Sequence, residues 1–450
     1  MKDIQKKKKI VIVGAGPAGL LLAHYLARRP HYDILIIERR DDPLTQAPKD
    51  TRSFPIALDF RGRNALNQVG LFDGGNENNM ESKGVYLGNI CFHKKNGKEL
   101  VIPKNPKNFS IDRNQITMTL IQRLQKADSI DMNPSTLLQA IKFSTSMKKI
   151  DLDNNQITVV KINDRKEQEG SEYLISFDYL IAADGARSKI REILTTQNKV
   201  QCRQVDDTKD YRTIFLSNNI NDESLLDKYA LHGWMISDGS TLIAAPIHED
   251  CLTGAYIFDN GADPFVNLRT ADEVLEFFDK LQPNIRHLIS QEEALALLNR
   301  PTSTGVSVRC NKLHVDNKVV LIGDAAHAVS ASLGQGCNSA LQDVQIFGSL
   351  LDKYNDDWSK ALPLYTTQRL PDAHAINELS AYAVATTKWM KAEWFLRTTL
   401  KARLPLWLSK LILRPMPRDL LDDKDANYSY SYIAEQTKWW LDRVKMSEAE

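Results

Sequence analysis

The sequence has few cysteines, no long hydrophobic run and no excess of charge of either sign, and each absence excludes a class of protein. The five cysteines among its 450 residues are scattered and form no CxxC pair. We therefore expect reduced thiols, without a disulfide framework or a metal site. Lys and Arg number 58 against 57 Asp and Glu, so no overall field favours nucleic acid. No run reaches the ~18 apolar residues that a transmembrane helix needs.

What is present is the composition of a folded, multidomain chain. Hydrophobic residues make up 42% of the sequence and charged residues 26%, which is enough to bury a sizeable core. The chain starts with MKDIQKKKK, and the apolar run that follows meets a glycine-rich turn almost at once. A secretory signal needs a longer apolar segment and a cleavage site, so we expect a solvated start and a cytoplasmic protein.

The first secondary-structure pattern is a βαβ unit close to the first residue. Ile10–Val13 is an all-apolar, β-branched run typical of a strand covered on both faces, Gly16–Arg29 has helical spacing, and Asp33–Glu38 is a second buried strand. Between about 210 and 260, short β-rich segments favour an antiparallel sheet, and the chain beyond Gln335 is mainly helical. These patterns predict a mixed α/β fold.

The stretch VIVGAGPAGL carries three glycines in G-x-G-x-x-G spacing between the first strand and the first helix. Gly14 permits the tight turn, Gly16 lets the backbone approach a pyrophosphate, and Gly19 lets the helix pack on the strand. The free N–H groups and positive dipole end of the helix then face the phosphates. Glu38 ends the second strand, where an acceptor for a ribose hydroxyl belongs. The alternative is an ordinary tight turn between a strand and a helix.

Two further apolar strands end in similar polar turns. Asp184-Gly185 follows the run LIAA, and Gly323-Asp324 follows the run VVLI. Each pair alone is most often a simple turn. In combination with the N-terminal glycine motif, and at these separations, the pairs indicate one dinucleotide site built from three places in the chain.

The three motifs together resemble the flavoprotein aromatic hydroxylases, the single-component FAD monooxygenases of the para-hydroxybenzoate hydroxylase type. The stretches TRSFPIALDFRGR, SIDRNQITMTL and PDAHAINELSAY look closest to kynurenine 3-monooxygenase and its homologues. The resemblance runs over nearly the whole chain, with gaps in the middle. It implies a tightly bound, non-covalent FAD, with NAD(P)H as a transient co-substrate and O2 as the oxidant.

The resemblance also assigns roles toward the cofactor. Asp324 is expected to accept a hydrogen bond from a ribityl hydroxyl, and Asp184 to lie near the pyrophosphate, in a segment linked to nicotinamide binding. A helix that begins in GQGCN would aim N–H groups at the flavin ring and stabilise its reduced, anionic form. For Arg52 and Arg113 the alternative to FAD contact is a surface ion pair, and for Asn338 it is a helix cap.

The predicted cofactor-binding residues are Gly14, Gly16, Ala18, Gly19, Glu38, Arg39, Arg52, Arg113, Asp184, Gly323, Asp324, Gly334, Gln335, Gly336, Cys337 and Asn338. Two nearby side chains are not counted among them. His327, in DAAHA, is interpreted as structural, and Arg61 is expected on the exposed surface of a helix. No catalytic side chain is predicted, because the flavin itself carries the chemistry.

The substrate side departs from the kynurenine hydroxylases, which hold a substrate carboxylate with one Arg and two Tyr, helped by an Asn and a Glu. By the resemblance, the Arg falls within Gly84–Ile90, which contains none, and one Tyr becomes Lys107. The Asn and Glu become Ala383 and Thr386, and the second Tyr becomes Trp407. A carboxylate clamp needs the planar fork of Arg. These changes therefore predict a more apolar aromatic substrate.

The loop that precedes GQG also lacks the two aromatic residues of the resembled enzymes, which predicts a wider pocket. The candidate pocket residues are Lys107, Leu333, Tyr382 and Trp407. The alternative for the aromatic members is plain core packing of a helical segment.

The predicted architecture is a Rossmann-like FAD-binding domain interleaved with an antiparallel-sheet substrate domain, followed by a helical C-terminal region. The FAD-binding domain is assigned to residues 1–80, 108–200 and 300–350, the substrate-domain sheet to 81–107 and 201–299, and the helical region to 351–450. The domains interleave because strands that are distant in sequence are expected to share one sheet.

The resemblance predicts an NAD(P)H-consuming monooxygenase that inserts one oxygen atom from O2 into an aromatic substrate by way of a flavin C4a-hydroperoxide. Only one G-x-G-x-x-G is visible, so NAD(P)H is expected to bind without a Rossmann domain of its own. Three alternatives stay open: kynurenine 3-hydroxylation with a remodelled carboxylate site that uses Lys107, a flavin reductase acting on an isoprenoid or other lipid, and an FAD-binding protein without turnover.

The region 394–417 interleaves Leu and Trp with Arg and Lys. A basic amphipathic segment with Trp can lie in a membrane interface, so peripheral membrane contact is one interpretation. The other is a set of helices that cap the substrate pocket and keep their charged face in water. The sequence leaves the oligomeric state open.

Overall fold

The computed structural model describes residues 7–45, 55–72, 79–125, 141–162, 172–217, 219–220, 223–224, 226–236, 238–248, 251–385, 387–405, 408–409, 412–423 and 425–449. The strands are β1 Lys8–Val13, β2 Tyr32–Ile37, β3 Pro55–Leu58, β4 Gly84–His93, β5 Glu99–Asp112, β6 Ile141–Lys142, β7 Thr145–Asp151, β8 Gln156–Lys161, β9 Tyr173–Ser176, β10 Tyr179–Ala182, β11 Cys202–Ser217, β12 Asn219–Ile220, β13 Glu223–Ser224, β14 Ala230–Met235, β15 Thr241–His248, β16 Cys251–Asp259, β17 Ser303–Cys310, β18 His314–Val315 and β19 Val319–Leu321.

The helices are α1 Pro17–Ala27, α2 Phe60–Asn67, α3 Arg113–Gln125, α4 Lys189–Thr196, α5 Ala271–Leu281, α6 Pro283–Arg286, α7 Gln291–Asn299, α8 Asp324–His327, α9 Gly336–Lys353, α10 Trp358–Tyr382, α11 Lys388–Arg403, α12 Pro417–Leu421, α13 Tyr430–Gln436 and α14 Lys438–Ala449. Within the described ranges, no helix is long and apolar enough to cross a membrane.

The first sheet has the strand order β18-β19-β10-β1-β2-β6 over the described residues, and all its pairs except β18 with β19 are parallel. The apolar run Ile10–Val13 forms the buried part of β1, as its pattern predicts, with Ile10, Val11 and Ile12 fully inaccessible to solvent. Helices α1 and α9 pack against each other beside this sheet. Parallel strands need cover on both faces, which explains the unbroken apolar runs.

The second sheet has the order β17-β11-β16-β15-β14-β4-β5-β3 in the described part of the chain. Its pairs are antiparallel apart from β14 with β4. Tyr256 on this sheet packs edge-on against Phe278 of α5, and both belong with Phe258 to a separate core cluster. Strands β3 and β17 belong to this sheet, although their residues fall in ranges that the sequence assigns to the FAD-binding domain.

A third cluster of buried apolar residues lies among the C-terminal helices. It includes Ile376 and Leu379 of α10, Tyr430 of α13 and Trp440 of α14, and it also takes in Leu333 from the loop before α9. The mixed α/β fold with a helical C-terminal region therefore agrees with the sequence prediction.

One prediction about the cysteines is wrong. Cys202 and Cys310 form a disulfide, and they are direct register partners on the neighbouring antiparallel strands β11 and β17, with their Cα atoms 4.2 Å apart. The two lie 108 residues apart in sequence, so their spacing gives no sign of the pairing. The expectation of free thiols holds for Cys91, Cys251 and Cys337. Across the residues that the structure describes, no cluster of His, Cys, Asp or Glu could hold a metal ion.

Candidate functional site

Four parallel strands of the first sheet end in one row, which brings the three sequence motifs together. Val13 of β1 is the register partner of Ile37 on one side and of Ala182 on the other, and Ala182 is in turn the partner of Leu321. The glycine-rich turn follows β1, and Glu38 follows β2. Asp184 lies just after β10, and the Gly323-Asp324 turn lies just after β19. Ligands of open α/β sheets bind outside the carboxyl ends of the strands.

The glycine-rich turn is shaped by two close backbone approaches and one open position. Gly14 has φ +107°, and a Cβ there would lie 2.2 Å from the carbonyl oxygen of Ala183. A Cβ on Gly19 would lie 2.1 Å from the carbonyl oxygen of Gly14, whereas a Cβ on Gly16 would meet nothing within 4 Å. Gly14 and Gly19 therefore serve the fold, and the open space beside Gly16 is left for a ligand at the start of α1.

The carboxylate at the end of β2 lies directly against this turn. One oxygen of Glu38 accepts a hydrogen bond from the backbone N–H of Ala15 at 2.7 Å, and the other accepts one from the backbone N–H of Arg40 at 2.8 Å. Glu38 thus fixes the turn and keeps acceptor capacity for a ribose hydroxyl. The neighbouring Arg39 is exposed. Ribose contact by Glu38 and FAD contact by Arg39 remain predictions.

The turn after β19 presents one carboxylate without a partner. Gly323 has φ +62°, and a Cβ there would lie 2.9 Å from the Cβ of Ala340 and 3.5 Å from that of Ala18. The turn therefore packs between α1, which carries Ala18, and α9, which carries Ala340. The sequence predicts that the starts of both helices border the cofactor. Asp324 begins α8 and is half-buried. Its carboxylate has no hydrogen bond or ion pair to any residue in the described ranges, so it is free to accept from a ligand.

A buried ion network holds this turn from behind. Oδ2 of Asp343 accepts hydrogen bonds from the backbone N–H of Gly323 at 2.8 Å and from Nε2 of His327 at 2.6 Å, and Oδ1 accepts from Nε of Arg369 at 2.7 Å. Burial acts to raise the pKa of Asp343, but His327 and Arg369 outweigh it and hold the pKa at about 2. His327 is thus engaged inside the protein, in line with the structural interpretation of the sequence.

The third strand end carries a buried acceptor with one unused oxygen. Oδ2 of Asp184 accepts from the backbone N–H groups of Lys189 at 2.8 Å and Ile190 at 3.2 Å, at the start of α4. Its Oδ1 is buried and has no hydrogen-bond partner within the described part of the chain. Burial raises the pKa of this carboxyl group. An orphaned acceptor at this position suits a donor from a bound ligand.

Helix α9 begins beside the Gly-Asp turn after a left-handed residue. Gly334 has φ +65°, and Gln335 precedes the first residue of the helix, Gly336. The side-chain oxygen of Gln335 accepts a hydrogen bond from the hydroxyl of Tyr430 at 2.9 Å. The first backbone N–H groups of α9 are therefore the part of this segment that is open to a ligand, as expected for a helix that faces a flavin ring.

Asn338 has its side chain fully occupied by the protein. Its amide nitrogen donates to the carbonyl oxygens of Ala57 at 2.9 Å and Gly334 at 3.1 Å, and its amide oxygen accepts from the backbone N–H of Asp59 at 3.0 Å. The side chain is completely buried. Asn338 thus links α9 to the connection between β3 and α2. The sequence interpretations, a helix cap or a flavin contact, did not include this link, and contact with FAD stays a prediction.

Arg113 faces the same crevice from another direction. It is exposed at the start of α3, and its guanidinium has no hydrogen bond or ion pair to the residues that the structure describes. Burial raises the pKa of Cys337 to about 12, while the charge of Arg113 acts to lower it and that of Asp324 to raise it further. Arg113 and Asp324 are therefore both within electrostatic range of Cys337. Arg52 lies outside the described residues.

Arg61 is not on the surface, so that prediction is wrong. Its side chain is 1% exposed and forms an ion pair with Asp59 at 2.9 Å. It also donates to the backbone carbonyl oxygens of Leu421 at 3.2 Å and Tyr428 at 2.9 Å, and its guanidinium lies over the ring of Tyr430 at 5.0 Å. Arg61 thus fastens the C-terminal region to α2. Because these partners come from 360 residues later in the chain, local helix spacing gives no sign of them.

The candidate pocket residues are spread over different environments. Leu333 is 9% exposed in the C-terminal apolar cluster, beside Ala383, and Tyr382 is half-buried, with Nζ of Lys445 5.1 Å from its ring. Lys107 is exposed on β5. Trp407 and Thr386 lie outside the described residues.

A different lysine of the same strand is the buried one, and sequence reasoning missed it. Nζ of Lys104 lies 2.8 Å from Oδ2 of Asp422, and the Lys104 side chain is 10% exposed. Burial lowers its pKa, and Asp422 acts to raise it. Lys104 follows Leu100 and Ile102 on the less exposed side of β5, whereas Val101 and Pro103 are exposed. This alternation was the available signal, because the pairing of β5 with β4 becomes irregular only between Pro103 and Asn108.

Comparison with known proteins decides the family. The family model described as FAD binding domain matches residues 7–380, which cover all three motifs. The chain belongs to this family. Its relatives include kynurenine 3-monooxygenase of Sus scrofa, 30% identical over 400 residues that cover 88% of this chain and 79% of the relative. The kynurenine 3-monooxygenase of Legionella pneumophila is 30% identical over 386 residues, covering 83% and 79%.

Solved structures show the same fold as this member of the FAD-binding family. A tetrameric form of 2-methyl-3-hydroxypyridine-5-carboxylic acid oxygenase matches with a TM-score of 0.68 at 17% identity, over 94% of this chain and 97% of that one. A Klebsiella pneumoniae R204Q HpxO structure complexed with FAD matches with a TM-score of 0.61 at 16% identity, over 83% and 88%. The predictions of a flavin monooxygenase with FAD as cofactor and NAD(P)H and O2 as co-substrates are confirmed by these relationships.

The residues at this sheet edge fit an FAD group. The open position beside Gly16 leaves room for a pyrophosphate at the start of α1, and Asp324 offers an unpaired carboxylate to a hydroxyl chain. The unused oxygen of Asp184 is a further acceptor at the same sheet edge. Arg113 supplies a positive charge near the Cys337 end of the crevice. Gly16, Asp184 and Asp324 follow neighbouring strand ends of one row, which matches the elongated shape of a dinucleotide.

Proposed function

We propose that this protein is an NAD(P)H-consuming monooxygenase that inserts one oxygen atom from O2 into a small aromatic substrate held in a largely apolar pocket. The observation that carries the proposal is the unpaired carboxylate of Asp324, presented at the sheet edge beside the start of α9. FAD, when bound there, supplies the redox and oxygen chemistry. The family match supports FAD as the cofactor, and the apolar side chains beside the start of α9 support an aromatic substrate.

In this proposal the protein's own groups bind FAD and hold its flavin ring in position. In this proposal Asp324 accepts a hydrogen bond from the ribityl chain, and the N–H groups at the start of α1 hold the pyrophosphate. The start of α9 places its free N–H groups and positive dipole end against the flavin ring, where they stabilise negative charge. The contact of Asp343 with Gly323 keeps the Gly-Asp turn in the geometry that this binding needs.

The apolar cluster around Leu333 supports an aromatic substrate and the exclusion of water. Leu333 directly precedes the turn into α9 and packs with Ile376 and Leu379 of α10 and with Ala383. In the proposed reaction these side chains keep water from the oxygenating centre. The alanine at 383 is 5% exposed, so the position where the resembled enzymes carry Asn offers no polar partner here.

Kynurenine 3-hydroxylation is the second candidate, and the two relatives at 30% identity favour it. The version of this idea that depends on Lys107 is weakened, because Lys107 is exposed and Lys104 is the buried lysine of the strand. Nothing in the described structure specifically favours reduction of an isoprenoid or loss of turnover.

The test is NAD(P)H-dependent oxygen consumption by the purified, FAD-loaded protein, with a panel of small aromatics that includes L-kynurenine. We expect at least one aromatic to stimulate NAD(P)H oxidation and to yield a product heavier by one oxygen atom. Stimulation by L-kynurenine would favour the second candidate. Oxidation of NAD(P)H without an oxygenated product from any member of the panel would count against a hydroxylase and favour a reductase.

Peripheral membrane contact also belongs to the proposal, and helix α11 is the part that supports it. Trp389 is 88% exposed, Leu396 58% and Phe395 41%. Lys388 and Lys391 flank Trp389, are exposed, and have no ion-pair partner among the described residues. Exposed Trp and Leu beside unpaired lysines suit the surface of an anionic membrane. This face begins at residue 388, slightly ahead of the region 394–417 that the sequence indicates.

A further inference from the structure

The disulfide between Cys202 and Cys310 fastens the first residue of β11 to the last residue of β17. The two strands pair from there as far as Asp206 with Val306, where the register shifts. Cys310 is 3% exposed, whereas Cys202 is half-buried. A thiol in solution can therefore reach the bond from the Cys202 side, and access of this kind distinguishes a labile disulfide from one enclosed in a core.

The residue pair next to the disulfide carries two like charges. Arg203 is the register partner of Arg309, so both side chains lie on the same face of the sheet. Both are exposed, and neither has a hydrogen bond or ion pair to the part of the chain that the structure describes. Like charges directly opposite each other destabilise a strand pair. The covalent bond one pair away holds β11 and β17 together against this repulsion.

Strand β17 supports the turn that presents Asp324. The backbone N–H of Val308 donates a hydrogen bond to the carbonyl oxygen of Ala328 at 2.8 Å. Ala328 directly follows α8, the short helix that begins with Asp324. The position of β17 therefore affects the geometry of this turn, and the disulfide lies two residues from the supporting contact.

Strand β11 supports the same turn through a buried arginine of α4. The side-chain oxygen of Gln204, on β11, accepts a hydrogen bond from Nη2 of Arg191 at 2.6 Å. Nη1 of Arg191 donates to the carbonyl oxygen of Ala325, within α8, at 3.0 Å. The charges of both Asp184 and Asp324 act on Arg191. The strand pair beside the disulfide is thus joined to both acceptors that the sheet edge offers to FAD.

We propose that Cys202–Cys310 is a reversible thiol–disulfide site that controls the affinity of the protein for FAD, and that its reductant is an anionic small-molecule thiol attracted by Arg203 and Arg309. In the oxidised protein the strand pair holds the Asp324 turn in place. In the reduced protein the repulsion between the two arginines loosens the pair, and the support of the turn weakens with it. This inference goes beyond the proposed monooxygenase function and needs only FAD binding.

Reduction proceeds by two exchange steps. A thiolate of the reductant attacks Sγ of Cys202, forms a mixed disulfide and expels Cys310 as a thiolate. A second reductant thiolate attacks the reductant sulfur of the mixed disulfide and expels Cys202 as a thiolate. The two cysteines take up the two protons that the reductant thiols release, so the protein gains two electrons and two protons while the reductant leaves as its own disulfide. The neighbouring arginines favour both steps, because positive charge stabilises a departing thiolate.

The test measures FAD binding by the full-length apoprotein equilibrated at defined ratios of reduced to oxidised glutathione. The mass of the protein after alkylation of its free thiols gives the fraction of the bond that is reduced. We expect an excess of reduced glutathione to raise the Kd for FAD about fivefold or more, the worth of roughly one hydrogen bond in the turn, and reoxidation to restore it. Loss of this bond in the wild-type protein carries the test even if a cysteine variant fails to fold.

Three variants separate the parts of the proposal. Cys202→Ser should show the weaker FAD affinity at every glutathione ratio. The matched control is Cys251→Ser, which removes a half-buried free cysteine of β16 and should behave as the wild type. The double variant Arg203→Gln with Arg309→Gln should be reduced several-fold more slowly by glutathione, and should lose less rate with uncharged 2-mercaptoethanol.

Four results would overturn the proposal. They are an equal Kd for FAD in the oxidised and reduced protein, a bond that stays oxidised in excess reduced glutathione, thiols of Cys202 and Cys310 that are alkylated at every ratio, and a glutathione response that survives Cys202→Ser. Equal reduction rates for the wild type and the double arginine variant would overturn the role of the arginines. Oxygenated product is not among these readouts, so failure of the monooxygenase proposal is seen separately.

Discussion

The carboxylate of Asp343 accepts a hydrogen bond from the backbone N–H of Gly323 at 2.8 Å, so a residue on α9 holds the turn that presents Asp324. The same carboxylate is bonded to His327 and Arg369. All three partners are buried, and the ion pair with Arg369 is inaccessible to solvent on both sides. The turn for the cofactor and the packing of α9 on α10 are therefore coupled through one side chain.

Replacement of Asp343 by Ala should weaken both the fold and the site. Because Arg369 would lose a buried counter-charge and Gly323 its acceptor, we expect a loss of about 3–5 kcal/mol in the free energy of unfolding. Urea unfolding measures this loss. The exposed Asp279 on α5 provides the control, as Asp279→Ala should change stability by less than about 0.5 kcal/mol. A loss below about 1 kcal/mol for Asp343→Ala would contradict the coupling.

Gly16 and Gly19 should separate cofactor binding from folding. A Cβ at Gly16 meets open space, whereas one at Gly19 would overlap the carbonyl oxygen of Gly14. We expect Gly16→Ala to keep wild-type stability in the absence of FAD but to weaken FAD binding, because the methyl group intrudes on the pyrophosphate. Gly19→Ala should lower the stability of the apoprotein itself. Thermal unfolding without FAD and FAD titration measure the two effects, and equal behaviour of the two variants would argue against separate roles.

Asp324→Ala should weaken FAD binding without unfolding the protein. The carboxylate has no hydrogen-bond or ion-pair partner within the described residues, so its removal breaks no contact that holds the fold. Loss of one charge-assisted hydrogen bond to a ribityl hydroxyl should raise the Kd for FAD about 10- to 100-fold. Fluorescence quenching of FAD by the apoprotein gives the Kd, with Asp279→Ala again as the control. A variant that purifies fully loaded with flavin would refute the ribityl assignment.

The strand ends of the first sheet were predictable from sequence because their signals are local. The apolar runs before Gly14, Asp184 and Gly323 are typical of strands in a buried parallel sheet. Their strands are neighbours in that sheet, so their ends lie together. The burial of Arg61 was not predictable in this way, since its partners Leu421 and Tyr428 lie in a distant part of the chain.

The choice between Lys104 and Lys107 shows a second limit of sequence reasoning. Alternation with Leu100 and Ile102 places Lys104 on the less exposed side of β5, whereas the motif comparison selects Lys107, three residues further on. A comparison across the part of β5 that departs from regular pairing, between Pro103 and Asn108, does not fix which residue takes a given place. The pairing of Cys202 with Cys310 is hidden for a different reason, because strand register is a property of the folded sheet.

The stability of the protein should fall as the pH drops from about 6.5 to about 4, in part through His24. Burial lowers the pKa of His24 to about 4, opposed by its hydrogen bond to the carbonyl of Leu120 and assisted by the charges of Arg123 and Arg28. The unfolded chain takes up this proton near pH 6.5 and the folded chain does not, so acid favours unfolding. The stability is intact above pH 6.5, where His24 is neutral in both states, and the loss grows to roughly 3 kcal/mol by pH 4.

The variant His24→Gln isolates this contribution. Its amide can still donate to the Leu120 carbonyl, at 2.9 Å from His24 Nε2, but does not titrate. Urea unfolding at several pH values should show a smaller fall in stability for the variant between pH 6.5 and 4. Parallel pH profiles for the two proteins would mean that other groups account for the acid sensitivity.

The exposed face of α11 should bind anionic vesicles. We expect the wild-type protein to sediment with vesicles of phosphatidylserine and phosphatidylcholine, and less as salt rises, because lysines draw it to the surface. The double variant Lys388→Glu with Lys391→Glu and the single variant Trp389→Ser should each reduce the bound fraction several-fold. Lys280→Glu, on the exposed surface of α5, is a charge-reversal control outside α11. Absence of wild-type binding at low salt would remove the membrane proposal.

The order in which a ribosome releases the chain bears on how the cofactor is acquired. The edge that fits FAD needs strands that run from Lys8–Val13 to Val319–Leu321, and Tyr430 closes onto Gln335 from a still later helix. A nascent chain that has completed only the glycine-rich turn after β1 lacks the neighbouring strand ends that would hold a dinucleotide. We therefore expect FAD to bind only after Val319–Leu321 has joined the sheet, late in synthesis.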